Sequence, residues 1–406
     1  MRETILVIGS GYATFREYAL SGLSDSFDVV MILRTEPDWQ RSWITDHRVA
    51  DLSDPLAVLA AARHLASEHP VSGVLTWEEK LLETAAGVGD ALGLPGLPSS
   101  AAKVARDKFL QRSVFELQDV PSARFRVVTR VDEATAFAEA VGYPVVVKPR
   151  GQAASVGVQI VHSGEALEAA LAFATASEVP GRDGGVLVEE FLAGQEISVD
   201  CWCVGGQVEP YAVALKQIGF APYCEEVGHV VGDVLEPSLL KEVAEVVRAA
   251  NRAVGVTNAL THTEVMLTED GPRIVEVNAR LGGELIPWLA EMMRPGLSVG
   301  TMLGDVTVGR APDVLPEIDT MHGVRFLYPA ADLVLDSLVL PEEIAVADWL
   351  VASRQVRERG ETLRLPPRAF LDRAGYAVVT GADRTQVEAR MAAVADACRV
   401  VGEPAV

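Results

Sequence analysis

Cysteine is scarce in this chain: Cys201, Cys203, Cys224 and Cys398 are all it has in 406 residues. None forms a Cys-x-x-Cys pair and their spacing fits no zinc site. Free thiols in a reducing compartment are expected, not a disulfide scaffold. Long apolar runs are also missing. None reaches the ~20 residues that a membrane-spanning helix needs, so no membrane partner is expected. The first residues, Met1 to Gly9, run straight into a strand without a signal-peptide cleavage pattern, which points to a cytoplasmic protein. Positive charge is in deficit, with 35 Lys and Arg against 57 Asp and Glu, for a net charge of −22. That balance argues against non-specific nucleic-acid binding, which works by neutralising phosphates. Any phosphate ligand must be held by local basic residues, backbone N–H groups or a metal. No internal repeat and no low-complexity tract is present.

The length suggests two or three domains. Ile5–Ile8, Val29–Leu33 and Val71–Thr76 read as strands, alternating with helices near Phe15–Gly22, 55–68 and Lys80–Leu92. This pattern predicts an open parallel sheet flanked by helices. The stretch Leu94-Pro95-Gly96-Leu97-Pro98 ends that unit. It is no ordinary nicotinamide domain. Gly9-Ser10-Gly11-Tyr12-Ala13-Thr14 lacks the third glycine of G-x-G-x-x-G, and Ile32-Leu33-Arg34 supplies no acidic residue for a ribose diol. Glu78 and Glu79 follow the third strand, at the carboxyl edge where open α/β sheets place ligands.

Residues 101–118 read as a basic helix carrying Arg106-Asp107-Lys108. Strands at Arg124–Val128, Tyr143–Lys148, Val158–Val161 and Gly185–Glu190, with helices at Val131–Val141 and Gly164–Thr175, form a compact α+β unit. Lys148 ends an apolar strand and must neutralise an anion, pair with a carboxylate or snorkel to water. The loop 150–157 follows at once. Gly151, Ser155 and Gly157 give it a backbone able to fold over phosphates, although the Walker order is absent. Glu189-Glu190-Phe191-Leu192 ends another strand, with Glu196 just beyond. Such a junction can read an adenine edge and ribose hydroxyls, and two surface glutamates would look the same. Strands near Glu196–Val204 and Gln207–Lys216, a loop at 217–233 and a helix at 237–254 come next. In 311–406 a strand at Tyr376–Thr380 and a helix at Thr385–Val400 are expected.

Between these lies a hairpin, Thr261 to Arg280. With a loop of Glu269-Asp270-Gly271, Glu264 falls opposite Glu276, while Asn278 shares the face of Glu276 and His262 that of Glu264. Directly opposed like charges destabilise a hairpin. A divalent cation between them would remove that objection, and two carboxylates plus an amide oxygen are hard donors of the kind Mg²⁺ takes. A solvated polar face is the plain alternative.

In this order the pieces resemble the ATP-grasp superfamily of carboxylate–amine ligases, and within it the L-amino-acid ligases. They are Arg106-Asp107-Lys108, Pro144 to Pro149, the loop 150–157, Glu189 to Leu192 with Glu196, Glu264, and Glu276 to Arg280 with Gly282-Gly283. The likeness implies an α/β and α+β architecture with four parts. These are a Rossmann-like domain at 1–100, a small ATP-grasp lobe at 101–192, a large lobe with the metal site at 193–310, and a C-terminal α+β part at 311–406 packing on the large lobe. It implies ATP with two Mg²⁺ ions (or Mn²⁺) as cofactors, small carboxylate and amine partners, and a homodimer. Lys108 and Lys148 would contact phosphates beneath the loop with Gly151, Ser155 and Gly157. Glu189 would take the adenine amino group, Phe191 and Leu192 would complete that site, and Glu196 would bind ribose. Glu264, Glu276 and Asn278 would hold metal. Arg280 would steady an acyl phosphate, His262 would point into the same cavity, and Gly282 and Gly283 would adjoin the substrate. Glu78, Glu226 and His229 are candidates for the substrate wall, Glu226 and His229 lying on the loop Gly219–His229. A purine-precursor or formyl- or carboxy-phosphate enzyme of the same fold is the alternative activity. A nucleotide-binding protein without ligase activity is a further one, though binding alone gives Arg280 no task.

Overall fold

The computed structural model describes residues 2–179, 184–313 and 315–405. The N-terminal unit is a parallel sheet of β1 (Thr4–Ile8), β2 (Asp28–Leu33), β3 (Asp46–Val49) and β4 (Val71–Leu75), in the order β3-β2-β1-β4. Helices α1 (Ala13–Ser26), α2 (Pro55–Glu68) and α3 (Leu82–Leu92) pack on it. β1 is apolar from Ile5 to Ile8 and wholly buried, as a strand covered on both faces must be. The polar strand β3, paired to the edge of β2, carried no periodic apolar signal.

The stretch expected as one helix at 101–118 is two, α4 (Ser99–Ala105) and α5 (Lys108–Leu117). The break has a local cause. The Asp107 side chain accepts from the N–H groups of Phe109 and Leu110, capping α5. That cap fixes Lys108 in the first turn. The next sheet is antiparallel: β5 (Phe125–Val128), β6 (Val145–Lys148), β7 (Gln159–Val161) and β8 (Val186–Glu190), ordered β5-β8-β6-β7, with α6 (Val131–Val141) and α7 (Leu167–Ser177) packed against it.

The largest sheet has eight strands. Five come before residue 280: β9 (Gln195–Val204), β10 (Gln207–Gly219), β11 (Glu225–Val231), β12 (Ala259–Thr268) and β13 (Gly271–Asn278). β14 (Met321–Leu327), β15 (Leu333–Val339), β16 (Leu350–Gln355), β17 (Thr362–Leu363), β18 (Gly375–Gly381) and β19 (Arg399–Pro404) follow. The order is β13-β12-β9-β10-β11-β14-β18-β16, so three C-terminal strands continue the central sheet, while β17-β15-β19 form a small sheet of their own. The loop expected at 217–233 is mostly strand. β10 runs to Gly219, and β11 pairs with both β10 and β14. Its buried polar residues Glu225 and His229 hid the apolar pattern of Val227, Val230 and Val231. The closing helix (Arg384–Ala397) stops short of Val400, which lies in β19.

Alternation sorts the central sheet into two faces. Ile197, Val199, Val213, Leu215, Val265 and Val277 point to a core shared with Val243 and Val247 of α8 (Pro237–Val254). The intervening positions carry the polar side chains described next.

Candidate functional site

Three cross-strand rows on that polar face are set by register. Asn278, His262 and Asp200 align, as do Glu276, Glu264 and Ser198. Lys216 pairs with His229 in the third row, beside Glu196. Glu264 does face Glu276, but by an unexpected route. The turn is only Glu269-Asp270, with Gly271 already in β13 at φ +103, and a bulge at Val275 makes up the missing residue. Both carboxylates meet cations. Glu276 accepts from Lys108 Nζ at 2.9 Å, and Glu264 lies 3.4 Å from Lys216 Nζ.

These residues and the end of the small sheet enclose a cavity of about 250 Å³. Lys108, Lys148, Ser155, Glu189, Phe191, Leu192, Glu196, Glu226, Glu264 and Glu276 all line it. A larger cavity, about 370 Å³, lies between the N-terminal unit and β12–β13 and is reached by Arg280. It lacks the carboxylates and lysines of the first, which is therefore the one equipped for phosphate chemistry.

Within the smaller cavity Lys148 Nζ pairs with Glu189 Oε2 at 2.6 Å, and Arg112 Nε with Glu189 Oε1 at 2.7 Å. Burial depresses the Lys148 pKa, and the nearby Arg112 and Lys108 add to that against the pull of Glu189. Burial works against the charge of Glu189 as well, yet Arg112 and Lys148 hold its pKa below the usual range. Both carboxylate oxygens, expected to take an adenine amino group, thus face cations. The exposed edge there is Phe191 and Leu192.

The glycine-bearing loop divides into anchors and an arch. The Gly151 N–H, expected to turn to phosphate, donates to Glu178 Oε1 at 3.0 Å, and its carbonyl accepts from Arg106. At Gly157 (φ +79) a Cβ would sit 2.6 Å from Ser177 Cβ, so this glycine lets the loop pack on α7. The arch between holds Ala154 and Ser155, both at φ +56, over the cavity. Gly151 and Gly157 are hinge posts of the loop, and Ser155 is the part that faces inward.

Lys216, absent from the sequence-based candidates, is the hub of the acidic side. Its Nζ lies 2.6 Å from Glu196, 2.8 Å from Glu226 and 3.4 Å from Glu264. Burial disfavours its charge, but the three carboxylates overcome this and raise its pKa well above normal. Burial also opposes ionisation of Glu226 and Glu264, and Lys216 nevertheless lowers both. Glu196 stays raised, through burial and the neighbouring Glu264 and Glu226. The clue was in Tyr211–Lys216, an apolar strand ending in lysine just as Val145–Lys148 does.

His262 Nδ1 lies 2.6 Å from the fully buried Asp200, which also accepts from the Tyr211 hydroxyl. Burial lowers the His262 pKa, but Asp200 outweighs it and the net shift is upward. The fixed ring leaves Nε2 3.8 Å from Glu264. Arg280 pairs with Glu79, whose other oxygen holds Arg106 at 2.7 Å. Glu79 thus carries the N-terminal unit to Arg280, at the end of the polar face. Glu78, named from sequence for the substrate, instead accepts from the Gly11 N–H and lines a separate cleft with Ser10 and Arg34. Glu226 and His229 do converge, at 3.2 Å, and Glu284 joins them. Gly282 is required by space, because a Cβ there would lie 2.6 Å from Asp200 Oδ2.

Residues 141–287 match the model of an ATP-grasp domain. The chain is 26% identical over 335 residues to the alanine–anticapsin ligase of Bacillus subtilis, covering 73% of this chain and 70% of that one. It is 31% identical over 223 residues to the D-alanine–D-alanine ligase of Geobacter sulfurreducens, covering 53% and 69%. Among solved structures, an L-amino acid ligase from Bacillus licheniformis superposes with a TM-score of 0.83 at 21% identity, covering 99% of this chain and 100% of that one. Sheet order, cavity and relatives agree, and the chain belongs to the ATP-grasp family of carboxylate–amine ligases.

Proposed function

We propose that the protein joins two small molecules, each an amino acid or a close relative, through an amide bond, converting ATP to ADP and phosphate. The observation that carries this is the convergence of Glu264, Glu276, three lysines and an anchored arginine around one face of a sheet. A binding protein has no use for Arg280 at the far end of the metal row. The relatives named for ligating alanine to anticapsin or to D-alanine support the substrate class.

ATP would enter between the two antiparallel sheets. The arch at Ala154–Ser155 would cover its phosphates, and Lys108, Lys148 and Lys216 would neutralise them. Phe191, Leu192 and the backbone beside them would take the base. The role of Glu189 would then be to fix Lys148, with Arg112 as counterweight, and Glu196 would be left for ribose. Glu264, Glu276 and Asn278 fit divalent cations, because two facing carboxylates and an amide oxygen are hard donors, and a cation there would take over the charge balance that Lys108 and Lys216 supply in its place. Bound Mg²⁺ or Mn²⁺ would supply charge neutralisation on the triphosphate.

A carboxylate oxygen of one substrate attacks the γ-phosphorus, ADP leaves, and an acyl phosphate forms. The amine nitrogen of the second substrate then adds to the acyl carbon. The C–O bond to phosphate breaks, and the proton the amine loses goes to the departing phosphate. Charge accumulates on phosphoryl and carbonyl oxygens in both steps, which is where a planar guanidinium serves best. His262, held by Asp200, and the Glu226–His229–Glu284 group would form the wall facing the second substrate. Closure of the arch keeps water from the acyl phosphate.

The test is phosphate release with ATP, Mg²⁺ and pairs of amino acids, run alongside hydroxylamine trapping in the absence of amine. Amide and acyl hydroxamate are expected. ADP formation that never depends on a carboxylate would end this reading.

A further inference from the structure

Arg16, on α1 of the N-terminal unit, is a buried cation that the chemistry above leaves unused. It is only 9% exposed, and its stem packs so close to Gly11 that a Cβ there would sit 2.9 Å from Arg16 Cγ. One N–H donates to the Gly282 carbonyl at 2.9 Å. Among the described residues no carboxylate lies within ion-pair distance of it. Burial lowers its pKa and Arg280 pushes the same way, against Tyr18 and Glu284. A desolvated guanidinium is costly unless an anion answers it.

We propose that Arg16 binds the carboxylate of the amine-bearing substrate, so that the acceptor is an α-amino acid and not a plain amine. The proposal rests on the ligase reading and adds the group that reads the acceptor. The position decides which carboxylate is meant. The carboxylate that reacts must lie against the Glu264–Glu276 row, and it is consumed there. A carboxylate that survives the reaction has to be held elsewhere. Arg16 meets the chain at Gly282, two residues past Arg280 and away from the metal row. Its fork suits a planar anion, and it comes from a unit that otherwise touches the catalytic face through Glu79. Without a bound carboxylate, this buried charge is answered, among the described residues, only by the Gly282 carbonyl, Tyr18 and, beyond ion-pair distance, Glu284.

The experiment compares acceptors by ratio. Each of the twenty common L-amino acids is assayed against its own carboxamide, with the best donor, in the wild type, R16M and R16K. The ratio cancels general damage to the fold or the ATP site. The wild type should prefer the free amino acid. R16M should compress that preference by about tenfold to a hundredfold, the worth of a charge-assisted hydrogen bond, and R16K should fall between. A preference unchanged in R16M, or no preference in the wild type, overturns the proposal. So does equal loss with both acceptors in R16M and R16K, which would make Arg16 only a pin for Gly282. A wild type that forms no hydroxamate with any carboxylate overturns the ligase reading instead.

Discussion

Replacing Lys216 by methionine tests the electrostatic design of the acidic side most directly. The lysine is 6% exposed and lies within 3.4 Å of three carboxylates. At an effective dielectric of about 20, each contact is worth about 5–6 kcal/mol of attraction before desolvation and carboxylate repulsion are subtracted. Breaking such a buried cluster by removing one partner costs about 3–5 kcal/mol net. With about 2 cal/mol/K of unfolding entropy per residue, a cooperative chain of this length should lose about 4–6 °C in Tm at pH 7. The sign of the pH dependence follows. Glu226 and Glu264 have folded pKa values below their unfolded ones. They contribute stability above the ordinary carboxylate range, and it is lost as pH falls through the folded values. In K216M that contribution disappears, and the three carboxylates bind protons on folding. The variant should therefore gain stability between pH 7 and pH 5, and the gap to the wild type should close. Differential scanning fluorimetry across that range, with K216R as the charge-retaining control, measures it. A K216M protein as stable as the wild type at pH 7, or a gap that widens on acidification, would refute the reasoning.

Glu276→Ala should reduce ADP release below about 1% of the wild type, with a circular dichroism spectrum unchanged from the wild type. Glu79→Gln keeps the shape but removes the charge that aligns Arg280 and Arg106. Its kcat should fall about a hundredfold with the KM for ATP little altered, as steady-state kinetics can resolve. Chelation with EDTA should abolish turnover, and either Mg²⁺ or Mn²⁺ should restore it. The raised pKa of His262 makes its pairing with Asp200 a source of stability that is full below the unfolded histidine value and fades as pH rises through the folded one. Asp200→Asn should accordingly cost more at pH 6 than at pH 9 in thermal unfolding.

The hairpin of Glu264 and Glu276 was legible because strand alternation is rigid and the acidic residues sit at its even positions. Its bulge was not, since a two-residue turn plus a bulge and a three-residue turn give the same pairing. Lys148 stood out at the end of an apolar strand, whereas Lys108 read as part of a basic helix and was picked out only by the order of the motifs. Lys216 follows the same pattern as Lys148, at the end of a stretch read as a strand, but the residues after it were read as a loop, so its partners could not be seen. Those partners come from β9, β11 and β12, far apart in the chain, and only sheet order brings them together. The same limit hid the roles of Asp200, Arg112 and Glu79. Each neutralises a residue that the motifs did reveal, and neutralising partners are chosen by space and not by spacing. Glu78 was preferred to Glu79 as a ligand because adjacent residues at a strand end point in different directions, and sequence alone does not say which points outward.

The C-terminal strands have a consequence for anyone editing this protein. β14 hydrogen-bonds along β11, the strand that carries Glu226 and His229. Behind it, Tyr328 ties down Glu225, and Arg373 clamps Glu284 while stacking 3.7 Å over Phe326. Trimming the last ninety or so residues would not remove an appendage. It would unzip the seam at β11, leave the edge of that strand opposite β10 unpaired, and let the back wall of the reaction chamber fall open.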